Sequence, residues 1–124
     1  TLAGLIHAAA PHQTVVGINI LKGGSFQEAF INGLPGSGAQ RPFEILNGYH
    51  FGGYARSSDV LIRFMNDWYA QTGIASDFVY TGKLFYAFAN LLQTEYFPNG
   101  SKVLLIHTGG LQGNTSLAKG LLIF

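Results

Sequence analysis

Apolar residues in this chain fall into short runs bounded by glycine, proline and small polar residues. Residues 14–21, Thr-Val-Val-Gly-Ile-Asn-Ile-Leu, form a nearly continuous apolar run, the pattern of a strand buried on both faces. Residues 103–106, Val-Leu-Leu-Ile, form another, and predict a strand over 102–107 that stops at Thr108, Gly109 and Gly110. Phe43–Leu46 is a shorter candidate strand. Between these runs the apolar spacing turns helical. Val60, Leu61, Phe64, Trp68 and, nearly, Met65 share one face of a helix predicted over 59–72, with Ser58 as its cap and Gly73 as its stop. A second helix is predicted over 82–96, closed by Pro98-Asn99-Gly100, and a short buried one over 2–10, before Pro11. Ser25 and Glu28 stand at capping-box spacing ahead of a short helix over 26–32. Residues 33–42, rich in glycine and proline, read as a loop, residues 48–54 as an aromatic, glycine-rich loop, and Phe78-Val79-Tyr80 as a short extended piece.

Strands alternating with helices of this length predict an α/β fold with a mostly parallel sheet and right-handed crossovers. In such sheets ligands bind just beyond the carboxyl ends of the strands. The strand predicted over 102–107 places the Thr108 hydroxyl and the open backbone of Gly109 and Gly110 there.

Composition changes this picture in one respect. Charged residues make up 10% of the 124 residues, against roughly 25% in an ordinary soluble domain. A free-standing domain needs charge to cover its surface, so much of this chain is expected to lie under further polypeptide or a partner. The formal net charge of +1 gives no electrostatic case for nucleic acid or an anionic membrane. The absence of cysteine rules out a disulfide framework and fits a reducing, cytoplasmic setting. No apolar run approaches the ~18 residues of a membrane span. The opening Thr1-Leu2-Ala3-Gly4-Leu5 has neither an initiator methionine nor a basic leader, and reads as a point inside a longer chain.

Several chemistries find no support. No two of the 4 histidines stand at metal-ligand spacing, so no metal site is expected. His107 reads as a residue bonded to backbone. The 6 carboxylates are scattered, and there is neither a nucleophile elbow nor a phosphate loop. Three features remain: Tyr54 beside Gly52-Gly53, Tyr80-Thr81-Gly82-Lys83 at a helix start where Thr81 fits an N-cap, and Ile106-His107-Thr108-Gly109-Gly110. Each has an ordinary structural reading, a packed loop tyrosine, a helix cap and a tight turn. Together they suggest one shared pocket.

At these residues the chain resembles the 1-aminocyclopropane-1-carboxylate deaminase / D-cysteine desulfhydrase family. The likeness is carried by Tyr49-His50-Phe51-Gly52-Gly53-Tyr54-Ala55, Val79-Tyr80-Thr81-Gly82-Lys83, Phe97-Pro98-Asn99-Gly100-Ser101-Lys102-Val103-Leu104 and His107-Thr108-Gly109-Gly110, with the spacing kept through most of 49–113. Thr1-Leu2-Ala3-Gly4-Leu5 looks like the tail of the family's phosphate loop. The resemblance implies a pyridoxal 5'-phosphate enzyme of the tryptophan-synthase-β fold type: a three-layer, open, twisted, mostly parallel sheet with helices on both faces. Residues 1–124 would be the C-terminal part of its large domain. It implies Thr1 on the cofactor phosphate, Tyr80 against the pyridine ring, Thr81, Thr108 and Gly109 around the cofactor, and Tyr54 and Tyr80 as catalytic residues facing a small amino-acid substrate. A cytoplasmic homodimer is the expectation it carries.

Two departures refine that expectation. The deaminases proper carry a glutamate where this chain has Thr81, and Thr108 is neutral as well. A hydroxyl partner leaves the ring nitrogen largely unprotonated and weakens the electron sink. That suits β-elimination of a thiol, as from D-cysteine to sulfide, pyruvate and ammonia, better than opening of a cyclopropane. The family's Schiff-base lysine lies upstream of the phosphate loop, and Lys22, Lys83, Lys102 and Lys119 do not match it; Lys83 reads as a surface residue at a helix start. The chain alone is therefore expected to be inactive, the lysine being supplied by an N-terminal segment. Other reactions on a D-amino acid, such as racemisation or dehydration, stay open, as does a non-catalytic truncated paralogue that binds or braces a partner.

Overall fold

The structure is a computed structural model that describes residues 1–23, 33 and 42–124. Its elements run α1 (Leu2–Ala8), β1 (Val15–Ile18), β2 (Phe43–Leu46), α2 (Asp59–Thr72), α3 (Thr81–Gln93) and a 3₁₀ turn at Gln112–Ser116. β1 and β2 form a parallel pair with Val15 opposite Phe43 and Ile18 opposite Leu46. The α/β class holds at this level. The helix expected over 26–32 and most of the loop over 33–42 lie outside the described residues. Among the described residues, no helix is long and apolar enough to cross a membrane.

Among the described residues, two apolar clusters hold these elements. In the first, Ile6 of α1 packs on Ile45 of β2, flanked by Leu2, Val15 and Phe43. Gly17 lets α1 lie close to the sheet: a Cβ there would stand 2.6 Å from Leu2 Cδ2. The second joins Leu61, Ile62 and Met65 of α2 to Phe78 and Val79 ahead of α3. Stacking of Trp68 on Phe85, centroids 5.0 Å apart, extends it across the two helices. The C-terminal tail closes it. Asn66 Nδ2 donates to the Leu121 carbonyl, Ile123 N–H donates to Asn66 Oδ1, and the Phe124 ring lies against Tyr69.

α2 begins and ends where its sequence punctuation predicts. The Ser58 hydroxyl accepts from Leu61 N–H at 3.3 Å, meeting one of the unpaired donors of the first turn. Gly73 closes the helix at φ +70°, a conformation that costs glycine little. The buried face is rotated from the predicted one. Val60 is 52% exposed and Ile62 takes its place beside Leu61 and Met65, because the partner surface, Phe78 and Val79, approaches from the Ile62 side.

Other boundaries move for physical reasons. α1 and β1 are shorter than 2–10 and 14–21, and β1 buries only Gly17. Residues 78–80 form a turn, not an extended piece, because the N–H groups of Val79 and Tyr80 turn back to the Asp77 carboxylate. α3 starts at Thr81, with Tyr80 as its cap, and stops at Gln93, short of Tyr96. The strand expected over 102–107 is absent: residues 101–110 take no regular structure, and Leu104 is 81% exposed. A strand exists only through a neighbour whose backbone it pairs, and among the described residues β1 pairs only with β2.

Gly82 marks a close approach of α3 to Met65 of α2. A Cβ at this position would lie 2.8 Å from both the Asp77 carbonyl and Met65 Sδ. The sulfur can move but the carbonyl cannot, since it accepts from Gly82 N–H at 2.7 Å. Gly82→Ala is expected to destabilise the protein by about 1–3 kcal/mol in urea unfolding. Gly4→Ala, in an exposed stretch of α1 with nothing within 4 Å, is expected to stabilise it by about 0.5–1 kcal/mol.

Candidate functional site

The site is organised by Asp77, which is 3% exposed. Its Oδ2 accepts from the N–H groups of Val79 and Tyr80 at 2.9 and 3.0 Å. Its Oδ1 accepts from Thr81 N–H and from the Thr81 hydroxyl, both at 2.9 Å. The Thr81 hydroxyl in turn accepts from Asp77 N–H at 2.9 Å. A carboxylate thus meets the unpaired donors at the head of α3, where the helix dipole favours negative charge. Asn114 braces the same turn from the far end of the chain, accepting from Phe78 N–H and donating to the Ser76 carbonyl. The result is a fixed position for Tyr80 at the cap of α3.

Tyr80 reaches out from this turn to Tyr54. The Tyr80 hydroxyl donates to the Tyr54 hydroxyl at 3.3 Å across 26 residues of sequence, and the rings meet edge to face. The shared hydrogen bond, then desolvation, holds the Tyr80 pKa above its usual value of 10.0. Tyr80 therefore keeps its proton and acts as a donor. Both rings are about half exposed, as suits groups that face a ligand.

These tyrosines border two adjoining cavities. The smaller, about 450 Å³, is lined by Thr1, Leu2, Gly17, Ile45, Tyr54 and Tyr80 among others. The larger, about 1080 Å³, has Thr1, Leu5, Val16 and Ile18 on one wall. Its other wall is formed by Tyr80, Thr81, Leu84, Phe88, residues 103–106 and Thr108. Thr1, the Tyr80-Thr81 pair and Thr108, far apart in sequence, thus border one space. Gly109 lies outside both linings; its N–H approaches His107 Nδ1 at 3.4 Å. His107 also bonds backbone, through Nε2 and the Ala75 carbonyl at 2.9 Å. Thr81 is 1% exposed and its hydroxyl both donates to and accepts from Asp77, so that hydroxyl is bound up in the turn. Among the described residues, no group of three or more histidine, aspartate or glutamate side chains is placed to hold a metal ion.

Lys83 overturns its sequence reading as a surface residue. It is fully buried, and its Nζ donates to the carbonyls of His50 and Gly53 at 2.9 and 2.8 Å. Desolvation lowers its pKa from 10.5, opposed by the Asp77 charge. Asp77 was missed as well, although an aspartate two to four residues ahead of N–H groups at a helix start is a recognisable turn signal. Lys83 had no local signal, because its acceptors come from a loop some thirty residues upstream.

Comparison with known proteins gives one match of partial extent. A protein of Pyrococcus horikoshii named "Putative 1-aminocyclopropane-1-carboxylate deaminase" is 37% identical over 65 residues, 52% of this chain. The chain spans only 19% of that relative's length. No family model matches, and no solved structure matches.

Two measurements probe this geometry. Asp77→Ala strands three N–H groups at a buried helix start and is expected to cost about 3 kcal/mol or more in urea unfolding, with Asp77→Asn milder. Beside the larger cavity, the Tyr96 hydroxyl donates to Glu44 Oε2 at 2.6 Å, which pushes its pKa up to about 12. A folded-state pKa above the unfolded value gives stability that is complete below the unfolded value. That contribution is then lost as pH rises from 10.0 through about 12. Unfolding titrations across that window should show the loss in the parent protein and a smaller one in Glu44→Gln.

Proposed function

We propose that this chain is the C-terminal part of a pyridoxal-phosphate-dependent enzyme acting on a small amino acid, and that its reaction is a D-cysteine desulfhydrase-like β-elimination. The observation that carries the proposal is the convergence of Tyr54 and Tyr80 on the smaller cavity, with Thr1 lining both cavities and Thr108 lining the larger one, which Tyr80 also borders. These are the residues that the family resemblance assigns to cofactor and substrate. The partial likeness to the Pyrococcus horikoshii protein points to the same family by its printed name.

The residues present suit the cofactor in part. Thr1 would face its phosphate, Tyr80 would lie along the ring and Thr108 would meet the ring nitrogen. When bound, the group supplies an electron sink for the substrate's α-carbon. Covalent anchoring falls to a lysine on a segment of the whole protein that precedes residue 1. The same segment would complete the three-layer sheet by pairing with residues 103–106, and a homodimer in the cytoplasm is part of this reading.

The chain's own residues then have definite work. The raised pKa keeps Tyr80 protonated, and its proton is committed to the Tyr54 oxygen. The Tyr54 hydroxyl hydrogen is left to point outward, where it can donate to a substrate carboxylate or follow a proton to the leaving group. Leu84 and Phe88 give the larger cavity beside Tyr80 an apolar lining, and covering by further polypeptide would exclude water there and strengthen such contacts.

The choice between elimination and ring opening rests on charge at the ring nitrogen. The Thr81 hydroxyl is bound to Asp77, and Asp77 in turn is saturated by backbone donors. Neither supplies an ionised carboxylate to that nitrogen, and Thr108 is neutral. The weak sink that results favours loss of a good leaving group.

The full-length protein with pyridoxal phosphate should release sulfide and pyruvate from D-cysteine much faster than it opens 1-aminocyclopropane-1-carboxylate. Comparable rates on the two substrates would overturn the elimination reading. Absence of a visible cofactor band in the full-length protein would overturn the cofactor reading. Tyr54→Phe and Tyr80→Phe are each expected to lower kcat/KM by about 10- to 100-fold through lost orientation. The basic limb of the pH profile should not fall below pH 10.0 on account of Tyr80.

A further inference from the structure

We propose that Lys83 is a positioning residue: its buried amine fastens the 50–53 loop to the head of α3 and thereby sets the Tyr54 hydroxyl against that of Tyr80. A role for the pair in orienting substrate rests on the function proposed above; the positioning itself does not.

The loop that carries Tyr54 does not hold its own shape cheaply. Phe51 and Ala55 stand at φ +51° and +50°, and Gly52 and Gly53 at +97° and +127°. Side-chain-bearing residues at positive φ each cost on the order of 1 kcal/mol or more. Its internal bonds are short-range: Gly53 N–H donates to the His50 carbonyl, Gly52 N–H to His50 Nδ1, and Arg56 N–H to the Gly53 carbonyl at 3.3 Å. Something outside the loop must fix it.

Lys83 does so from a rigid base. The Nζ bonds the carbonyls of His50 and Gly53, the two ends of the turn. Gly53 directly precedes Tyr54, so the second bond holds the peptide from which the tyrosine springs. On the other side, Lys83 lies in the first turn of α3, one turn past Tyr80, whose backbone Asp77 fixes. One side chain therefore connects the backbones of both tyrosines. The contact of the Phe51 ring with Tyr86, centroids 4.9 Å apart, steadies the loop's far side without reaching Tyr54. A surface lysine could not do this, because water would compete for both carbonyls. With Lys83 fully buried the bonds are protected, and two N–H donors suffice for them.

The test uses fluorine NMR of the protein carrying 3-fluorotyrosine, with Tyr54 and Tyr80 assigned through their phenylalanine variants. In Lys83→Met, both signals should move toward the position of free fluorotyrosine, while Tyr69 and Tyr96 stay in place. Because the chain has no cysteine, Lys83→Cys offers a single thiol. Aminoethylation of that thiol in denaturant, followed by refolding, rebuilds a lysine analogue and should restore both signals; ethylation should not. The proposal is overturned if Lys83→Met folds with both signals unmoved, or if ethylation restores them as well as aminoethylation does.

Should the variants fail to fold, the unaltered protein decides. Nitrogen-edited NMR should show the Lys83 amine protons exchanging slowly, with through-space contacts to the Gly53 and Tyr54 α-protons. Exchange as fast as that of Lys22, Lys102 and Lys119 would overturn the proposal. None of these signals depends on cofactor, so a failure of the cofactor reading leaves this result standing.

Discussion

The Asp77 carboxylate is the constraint on which the rest of the molecule turns. It is buried, and it is solvated by the backbone donors at the head of α3 instead of by water. Taking that charge from water is expensive unless every lone pair finds a donor, and the turn through residues 78–80 is shaped to supply them. That turn sends Phe78 and Val79 into the core with α2 and leaves Tyr80 facing outward. Core packing and the presentation of a functional group thus follow from one carboxylate.

Lys83 is the complement of this arrangement and is harder to account for electrostatically. A cation in the first turn of a helix opposes the dipole, and full burial removes its water. Both penalties fall on the amine, and desolvation is what lowers its pKa. They are offset by two carbonyl acceptors and by the nearby Asp77 charge. Buried charges of opposite sign are here each satisfied by backbone dipoles, with carbonyls around the lysine and N–H groups around the aspartate. The backbone geometry that provides those dipoles is the strained 50–53 loop on one side and the helix head on the other. Strain of this kind persists only where surrounding structure imposes it.

What could be read in the sequence divides along the same line. α2 was legible to the residue because Ser58 and Gly73 punctuate it locally, and the bounds of β2 matched for a similar reason. Tyr54 and Tyr80 were legible as candidates, but not their hydroxyl contact, which joins residues distant in sequence. The rotated face of α2 was not legible: Val60 and Ile62 are equally apolar, and only the approach of Phe78 and Val79 decides between them. Thr81 fits a helix cap by its residue type, yet the capping group is Asp77, which accepts from the N–H groups of Val79, Tyr80 and Thr81 and from the Thr81 hydroxyl. Lys83 was misread because a lysine after Thr-Gly looks like any solvated helix start. Burial of a charge is a tertiary fact, set here by carbonyls that no local window contains.

The run at 103–106 carries the opposite lesson. Its residue types describe an environment apolar on both sides, whereas the described residues leave Leu104 in the open. These facts are compatible. An apolar run encodes a demand for burial, not the identity of what buries it, and a strand pairs only when a backbone is there to pair with. The same demand appears across the cavity, where β1 pairs only with β2 among the described residues and turns Val16 and Ile18 toward the opening. Two apolar, hydrogen-bond-capable walls facing one space are what the low charge content of the chain would lead one to expect. Under the proposed function, that space is filled by more of the same sheet, and Thr108 then regains its place at a strand's carboxyl end, opposite Tyr80. The tyrosine pair is built without that addition: Asp77 and Lys83 fix it from within the chain, so one side of the candidate site is preorganised before the other is in place.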